Sequence, residues 1–388
     1  MNFDEIIERN QTNSMKWDAV KTIYKSDDVW PMWVADMDFK APQPVLDALH
    51  RVTEHGVFGY HLPPESLREA ISEWMLKRFD WQVETKQITF TPGVVPAIHH
   101  LIQALTNEGD KIIIQPPVYY PFFSLVNVNK RELLENFLLE DSGSYQMDMD
   151  DLETHMKNGA KMLILCNPHN PSGRMWKQDE LVELLELCKK YNVTLVSDEI
   201  HSDVILHGKH VPLASIAGAE DVQVATCMAP SKTFNLAALQ LSYVISNDDE
   251  LQRKLELQMK QTFSGIGSPF ASAAAEAAYR EGEPWLEDML AYVQSNVDYV
   301  KQRLDEQMPK IRYMDPESTY LLWLDFRALN FEEKDLEQWL RQDARLALND
   351  GHTFGKPGSG FARMNLGCPR SHVKEGLDRL QKAYEQLV

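Results

Sequence analysis

An α/β architecture, a mostly parallel sheet covered on both faces by helices and joined to a smaller α+β unit, is the fold class this sequence predicts. Three observations predict it. Short apolar runs alternate with helical periodicity from about residue 88 to residue 246, which is the pattern of βαβ units. Several of those runs end in polar residues: Met162-Leu-Ile-Leu-Cys166 leads into Asn167-Pro-His-Asn-Pro-Ser-Gly173, and Val193-Thr-Leu-Val196 leads into Ser197-Asp-Glu-Ile-His201. After Ser246 the alternation stops and helices dominate.

Taken in order, residues 1–30 are polar with isolated apolar positions and read as an extended arm that docks on something else. Residues 32–39 are apolar apart from Asp36 and Asp38, and are expected against the site. Helical periodicity covers 44–54 and, more clearly, 63–79, where Leu67, Ile71, Trp74, Met75 and Phe79 recur three or four apart. A strand at 88–90 is followed by a helix opening at Gly93 and running to about 105. Strands are then predicted at 111–115, 133–139, 161–166, 193–197, 222–227 and 239–246, with helices at 121–127, 150–157 and 178–191. The second unit is read as helices at 249–262, 268–279 and 283–307, then strand 320–326, helix 332–342, strands 344–348 and 361–365, and helix 372–386. The large unit is placed at 45–285, and the small one at 1–44 together with 286–388. There is no internal repeat and no low-complexity segment.

Composition bounds the function. A chain of 388 residues, 44% hydrophobic, buries a sizeable core. Its net charge of −19, from 39 basic and 58 acidic residues, argues against nucleic acid or an anionic membrane as partner. An anionic ligand would need local donors. Cys166, Cys188, Cys227 and Cys368 lack CxxC or Cys/His spacing and read as buried free thiols in a reducing compartment, with no metal site. The first residues, Met1-Asn-Phe-Asp-Glu-Ile-Ile-Glu8, are acidic and have no apolar core of a signal peptide, and no apolar stretch approaches spanning length. The expected address is the cytoplasm.

The chemistry centres on Cys227-Met-Ala-Pro-Ser-Lys-Thr-Phe-Asn-Leu236. Lys232 sits among small, hydroxylated and apolar residues, where desolvation would lower its pKa and free the amine as a nucleophile. That is what a Schiff-base lysine requires. Ser-Lys alone is common in solvated turns, so the weight comes from the two strand ends upstream. In open α/β sheets ligands bind at the carboxyl ends of strands. An acid, an amide and a lysine at three such ends suit a cofactor with a basic ring nitrogen, a phenolic oxygen and an aldehyde, and pyridoxal 5'-phosphate has all three.

These segments resemble the fold-type I pyridoxal-phosphate enzymes of the class I/II aminotransferase superfamily, and within it the cystathionine β-lyase (C–S lyase) branch of PatB/MalY type. Further matching stretches are Pro31-Met-Trp-Val-Ala-Asp-Met-Asp-Phe39, Phe58-Gly-Tyr60, Thr91-Pro-Gly-Val-Val95 and Gln115-Pro-Pro-Val-Tyr119. The likeness covers essentially the whole chain. It implies a seven-stranded, mostly parallel sheet in the large domain, and it assigns roles. Lys232 is the lysine that carries the cofactor and then removes the Cα proton. Asp198 partners the pyridine nitrogen, although an Asp after a strand equally suits a helix N-cap. Asn170 donates to the phenolic oxygen and helps bind substrate. His201, where aminotransferases usually have Tyr, either donates to the same oxygen or packs. Tyr119 stacks on the pyridine face or is a core aromatic. The backbone N–H groups of Gly93, Val94 and Val95 at a helix start, with the Ser231 hydroxyl, hold the phosphate, and Tyr60 reaches the phosphate of a neighbouring subunit in a homodimer. Arg363 grips the substrate α-carboxylate with a planar guanidinium, assisted by the Ala35 N–H. Gln240 stands where aminotransferases often place a phosphate-binding arginine.

The resemblance implies β-elimination from L-cystathionine, cysteine or S-substituted cysteines, releasing a thiol, pyruvate and ammonia, with a place in methionine and cysteine metabolism. Transamination of aromatic or other large amino acids uses the same residues, and a regulatory protein-binding role with secondary lyase activity is a third reading. Fold alone does not choose among them.

Overall fold

In a computed structural model, residues 1–388 are described except Asp27, Ser142 and Ile266. The large sheet has seven strands: β1 (Ile88–Thr91), β2 (Lys111–Ile114), β3 (Glu132–Glu135), β4 (Ala160–Cys166), β5 (Thr194–Asp198), β6 (Val224–Met228) and β7 (Ser242–Ile245). Their order is β1-β7-β6-β5-β4-β2-β3. The run from β6 to β3 is parallel, and β7 is antiparallel to both neighbours. The sheet is mixed but mostly parallel, as expected.

Burial explains why these stretches are strands. Every residue of β4 except Lys161 is buried, the mark of a strand covered on both faces. Its side chains divide by parity. Leu163 and Leu165 join the layer of helix Gln178–Tyr191, with Leu181, Leu184 and Leu185. Met162, Ile164 and Cys166 face the layer of helix Val94–Leu105, with Ile98 and Leu101. The short connecting helices start where the sequence supplies an acceptor: Asp148 caps Met149–Lys157 through the Asp151 N–H, and Asp248 caps Asp249–Gln261 through the N–H groups of Glu250 and Leu251.

The second unit hangs on the 25-residue helix Glu283–Gln307. Its antiparallel sheet contains β8 (Arg312–Tyr313), β9 (Leu321–Asp325), β10 (Asn349–Asp350) and β11 (Phe361–Asn365), in the order β8-β9-β11-β10. Trp323 of β9 stacks on Phe361 of β11, rings 5.1 Å apart and 5° from parallel. Helix Arg370–Leu387 closes it.

Four expectations need correction. Strand 133–139 is two pieces, β3 and Leu139–Asp141, because the Asn136 amide donates to the Asp148 carbonyl (3.0 Å) and the Asp151 carboxylate (2.9 Å) and draws the chain off the sheet. Strand 239–246 begins only at Ser242, after a tight turn at Ala237–Leu239. Helix 332–342 is regular over Glu333–Gln338 and then widens to a π-turn over Trp339–Asp343. Strand 344–348 contributes Leu346–Ala347 to a separate parallel pair with Trp30–Pro31 rather than to the four-stranded sheet. That last point locates the arm. It docks on its own chain: Trp30 pairs with Leu346, a helix forms at Val20–Tyr24, and the Phe3 ring packs edge-on against Phe39 and Trp285. All four cysteines are buried and free, and no helix among the described residues is long and apolar enough to cross a membrane.

Candidate active site

The carboxyl ends of β4, β5 and β6 open on one side of the sheet, with the start of helix Val94–Leu105 beside them. β5 ends at Asp198, and β4 leads to Asn170 through the turn-rich loop. β6 leads into the single turn Pro230–Thr233, which carries Ser231 and Lys232. A cavity of about 210 Å³ lies there. Gly93, Val94, Val95, Tyr119, Asn170, Asp198, His201, Ser231, Lys232 and Ala35 all line it, and so do Gln240 and Cys166. Ten of the twelve residues expected at the site therefore meet around one hollow.

Arg363 is the eleventh. It is buried on β11, outside the residues that line the cavity, and donates to Asn170 Oδ1 at 2.8 Å. It also donates to the Trp33 carbonyl (3.1 Å) and to Asn349 Oδ1 (2.6 Å). Tyr60 is the twelfth and lies elsewhere. It is 99% exposed, beside a larger hollow of about 650 Å³ that also takes in His61 and Arg280. That hollow holds none of the lysine, acid and amide groups, so size does not pick out the chemistry here.

The electrostatics follow from burial. Burial pushes the Lys232 amine down to about 8 and Arg363 pushes the same way, while Asp36 and Asp198 oppose them. The Lys232 amine donates to the Ala35 carbonyl, which also accepts from the Tyr320 hydroxyl at 3.0 Å. At Ala35 it is thus the carbonyl, not the N–H, that makes these contacts. Burial raises the Asp198 carboxyl to about 7, with Glu199 adding to the rise and the Ile200 N–H and Lys232 countering it. No helix follows Asp198; its Oδ1 accepts from the Ile200 N–H at 3.2 Å, a turn contact rather than a helix cap. No other hydrogen bond to this carboxylate is seen among the described residues. The His201 imidazole is held neutral by burial, and its Nδ1 has no partner among the described residues.

The donor set fits pyridoxal phosphate. A carboxylate short of a cationic partner, an amine of lowered pKa and an imidazole with an unpartnered nitrogen face one cavity. The first N–H groups of a helix have no intrahelical acceptor, and those at Gly93–Val95 open on the same space.

Sequence reasoning missed the residues that hold the segment bearing Ala35. Residues 33–39 have no regular structure, so their backbone groups need side-chain partners. Asn235, at φ +58°, accepts from the Met37 N–H (3.0 Å) and donates to the Met37 and Phe39 carbonyls (2.9 Å each). Asn365 donates to the carbonyls of Val34 and Asp36. The available signal was polarity out of place: Asn365 ends a strand that is buried throughout, and Asn235 follows Lys232 by three residues in an apolar run.

Comparison with known proteins agrees. The model of the aminotransferase class I and II family matches residues 34–380. The chain is 43% identical to cystathionine β-lyase PatB of Bacillus subtilis over 99% of its own length and all of that protein's. Cystalysin of Treponema denticola, solved with pyridoxal 5'-phosphate, superposes with a TM-score of 0.96 at 35% identity, covering 100% of this chain and 99% of that one. A pyridoxal-phosphate-bound protein of Clostridium difficile 630, provisionally named an aminotransferase, superposes at 0.97 with 45% identity and 99% of each chain covered.

Proposed function

The chain belongs to the aminotransferase class I and II family, and from that premise we propose that it is a pyridoxal-phosphate-dependent C–S β-lyase. Its substrates are L-cystathionine, cysteine or S-substituted cysteines, and its products are a thiol, pyruvate and ammonia. The observation that carries the reading is the meeting of Lys232, Asp198 and Asn170 in one cavity within a chain 43% identical to a cystathionine β-lyase. When bound, the cofactor supplies an electron sink for the pair left at the substrate Cα.

The chain's own residues do the rest. Lys232 would hold the cofactor and would take the Cα proton; burial brings its amine down to about 8, nearer neutral pH than a free lysine. Asp198 keeps a proton on the ring nitrogen by supplying the negative partner in a buried setting. Asn170, whose Oδ1 accepts from Arg363, keeps its amide N–H groups free of that bond and would donate one to the phenolic oxygen. Arg363 takes the α-carboxylate. The N–H groups of Gly93, Val94 and Val95, with the Ser231 hydroxyl, would hold the phosphate, and Tyr119 would pack on the ring; all five line the same cavity. The four buried free thiols fit a cytoplasmic setting.

Purified protein given L-cystathionine and pyridoxal phosphate, with no keto acid, is expected to release pyruvate and thiol in equal amounts. Turnover that appears only when a keto acid is added would replace this reading with transamination, the activity named for the Clostridium difficile protein.

The site is also proposed to be a dimer property. Val57, Phe58, Tyr60 and Leu62 are exposed by 58–99% along one irregular segment, an apolar run of the kind a partner covers. Sedimentation should give twice the 44.6 kDa chain mass, and Tyr60→Ala should release the cofactor more readily. A monomer with full activity would refute the cross-subunit role of Tyr60.

A further inference from the structure

Against residues 36–38 four charged side chains close on one another. The Arg9 guanidinium forks onto Asp36, Nη1 to Oδ1 at 3.2 Å and Nη2 to Oδ2 at 2.7 Å. Its Nη1 also reaches Asp38 Oδ1 at 2.6 Å and the Met37 carbonyl at 3.3 Å. Lys16, with 1% of its side chain exposed, donates to Asp38 Oδ2 at 2.6 Å and stands 3.6 Å from Asp36 Oδ1. Trp17 adds an indole N–H to Asp38 Oδ1 at 3.0 Å. Two cations and two anions sum to zero, as burial of charge requires.

The cluster is not symmetrical with respect to the site. Asp38 is 2% exposed and belongs to Lys16 and the arm. Asp36 directly follows Ala35, whose carbonyl accepts from Lys232, and its carboxylate favours the charged form of that lysine. Lys232 is faced from each packed element: by Asp36 and the Ala35 carbonyl, by Asp198 of β5 and His201 after it, by Arg363 of β11, and by the Tyr320 hydroxyl on the shared carbonyl. Among these, Arg9 pairs with Asp36 alone.

We propose that Arg9, delivered by the N-terminal arm, is a positioning residue for the lyase reaction: by pairing Asp36 it fixes residues 35–36 against Lys232 and offsets part of the carboxylate's field at the lysine nitrogen. The inference rests on the reading of Lys232 as the cofactor-bearing lysine. It makes the arm an electrostatic part of the site. Removing Arg9 takes the cluster from zero to −1, whereas removing the Asp36 charge takes it to +1.

The test is a spectrophotometric pH titration of the cofactor-loaded protein without substrate, following the absorbance change of the lysine-bound cofactor. Arg9→Gln is expected to move the midpoint to higher pH by about 0.5–1 unit, since an unmasked carboxylate at partly screened distance favours the protonated nitrogen. Asp36→Asn should move it to lower pH, and Arg9→Gln should move it by much less in the Asp36→Asn background. Arg9→Lys should restore part of the shift, because an ammonium keeps the charge but not the fork. A midpoint unchanged in Arg9→Gln, in protein whose melting curve shows it folded, would reduce Arg9 to a structural tie. A shift that persists in full without the Asp36 charge would overturn the route through Asp36. If Arg9→Gln does not fold, Asp36→Asn and Arg9→Lys carry the test, and a midpoint unmoved by Asp36→Asn overturns it. Failure of the underlying lysine reading looks different: Lys232→Ala would then keep the wild-type absorbance.

Discussion

Lys232→Ala is expected to reduce turnover of L-cystathionine by at least about a thousandfold, since it removes both the proposed covalent attachment and the proposed base, each worth on the order of 10²–10⁴. The fold should survive. Among the described residues the lysine amine's one hydrogen bond runs to the Ala35 carbonyl, and that carbonyl keeps the Tyr320 hydroxyl as donor at 3.0 Å. No buried polar atom is stranded, and a partly desolvated amine is lost, so the melting temperature should stay near wild type or rise. The measurement is single-turnover and steady-state pyruvate release beside a thermal melt. Turnover within tenfold of wild type, from folded protein, would sink the assignment of the lysine and the mechanism with it.

Asp198→Asn is the second large effect, and it carries two opposite signs. With cofactor bound, the substitution removes the proposed negative partner of the ring nitrogen. Breaking a buried pair costs about 3–5 kcal/mol, so kcat should fall roughly 10²–10⁴-fold. Without cofactor the sign reverses. The folded-state pKa of Asp198 is raised from 3.8 to about 7, so between those values the folded protein holds a proton that the unfolded chain has released. Stability therefore falls as pH rises through that window. Asparagine does not ionise, so the cofactor-free variant should match wild type near pH 4 and exceed it near pH 8, by up to on the order of 4 kcal/mol. Melting curves of both cofactor-free proteins at those two pH values decide it. A variant less stable than wild type at pH 8 would mean that the carboxylate has a cationic partner even without cofactor.

The centre of the site was legible because its groups sit at strand ends, where an apolar run breaking into Asp198, Asn170 or the Ser231-Lys232 turn marks both the element and the chemistry. Helices Gln178–Tyr191 and Glu283–Gln307 and strand Phe361–Asn365 run where periodicity put them. What stayed hidden acts through the backbone of another segment. Asn235 and Asn365 bond carbonyls and an N–H 198 and more than 320 positions away, and Arg9 acts through Asp36. No local pattern encodes such partners. Departures from predicted strands have the same origin: the Asn136 amide pulls β3 short, and Leu346–Ala347 is claimed by the arm rather than by the neighbouring sheet. The arm itself was legible as something that docks, but its partner, a strand more than 300 residues downstream, was not.

The asparagine ties on residues 34–39 also set an order of events during synthesis. Asn365 reaches back to Val34 and Asp36 across 331 and 329 positions, so the wall of the site that bears Ala35 cannot be fastened until nearly the whole chain has left the ribosome. Contacts of such sequence separation form slowly, because the loop they close is long. The seven-stranded sheet, complete by Ile245, can assemble first and offer the helix start and the lysine turn to the cofactor. A nascent chain lacking its last hundred residues would thus hold a half-built pocket, and capture of the cofactor in a working geometry would come at the end, as a report that both termini have arrived.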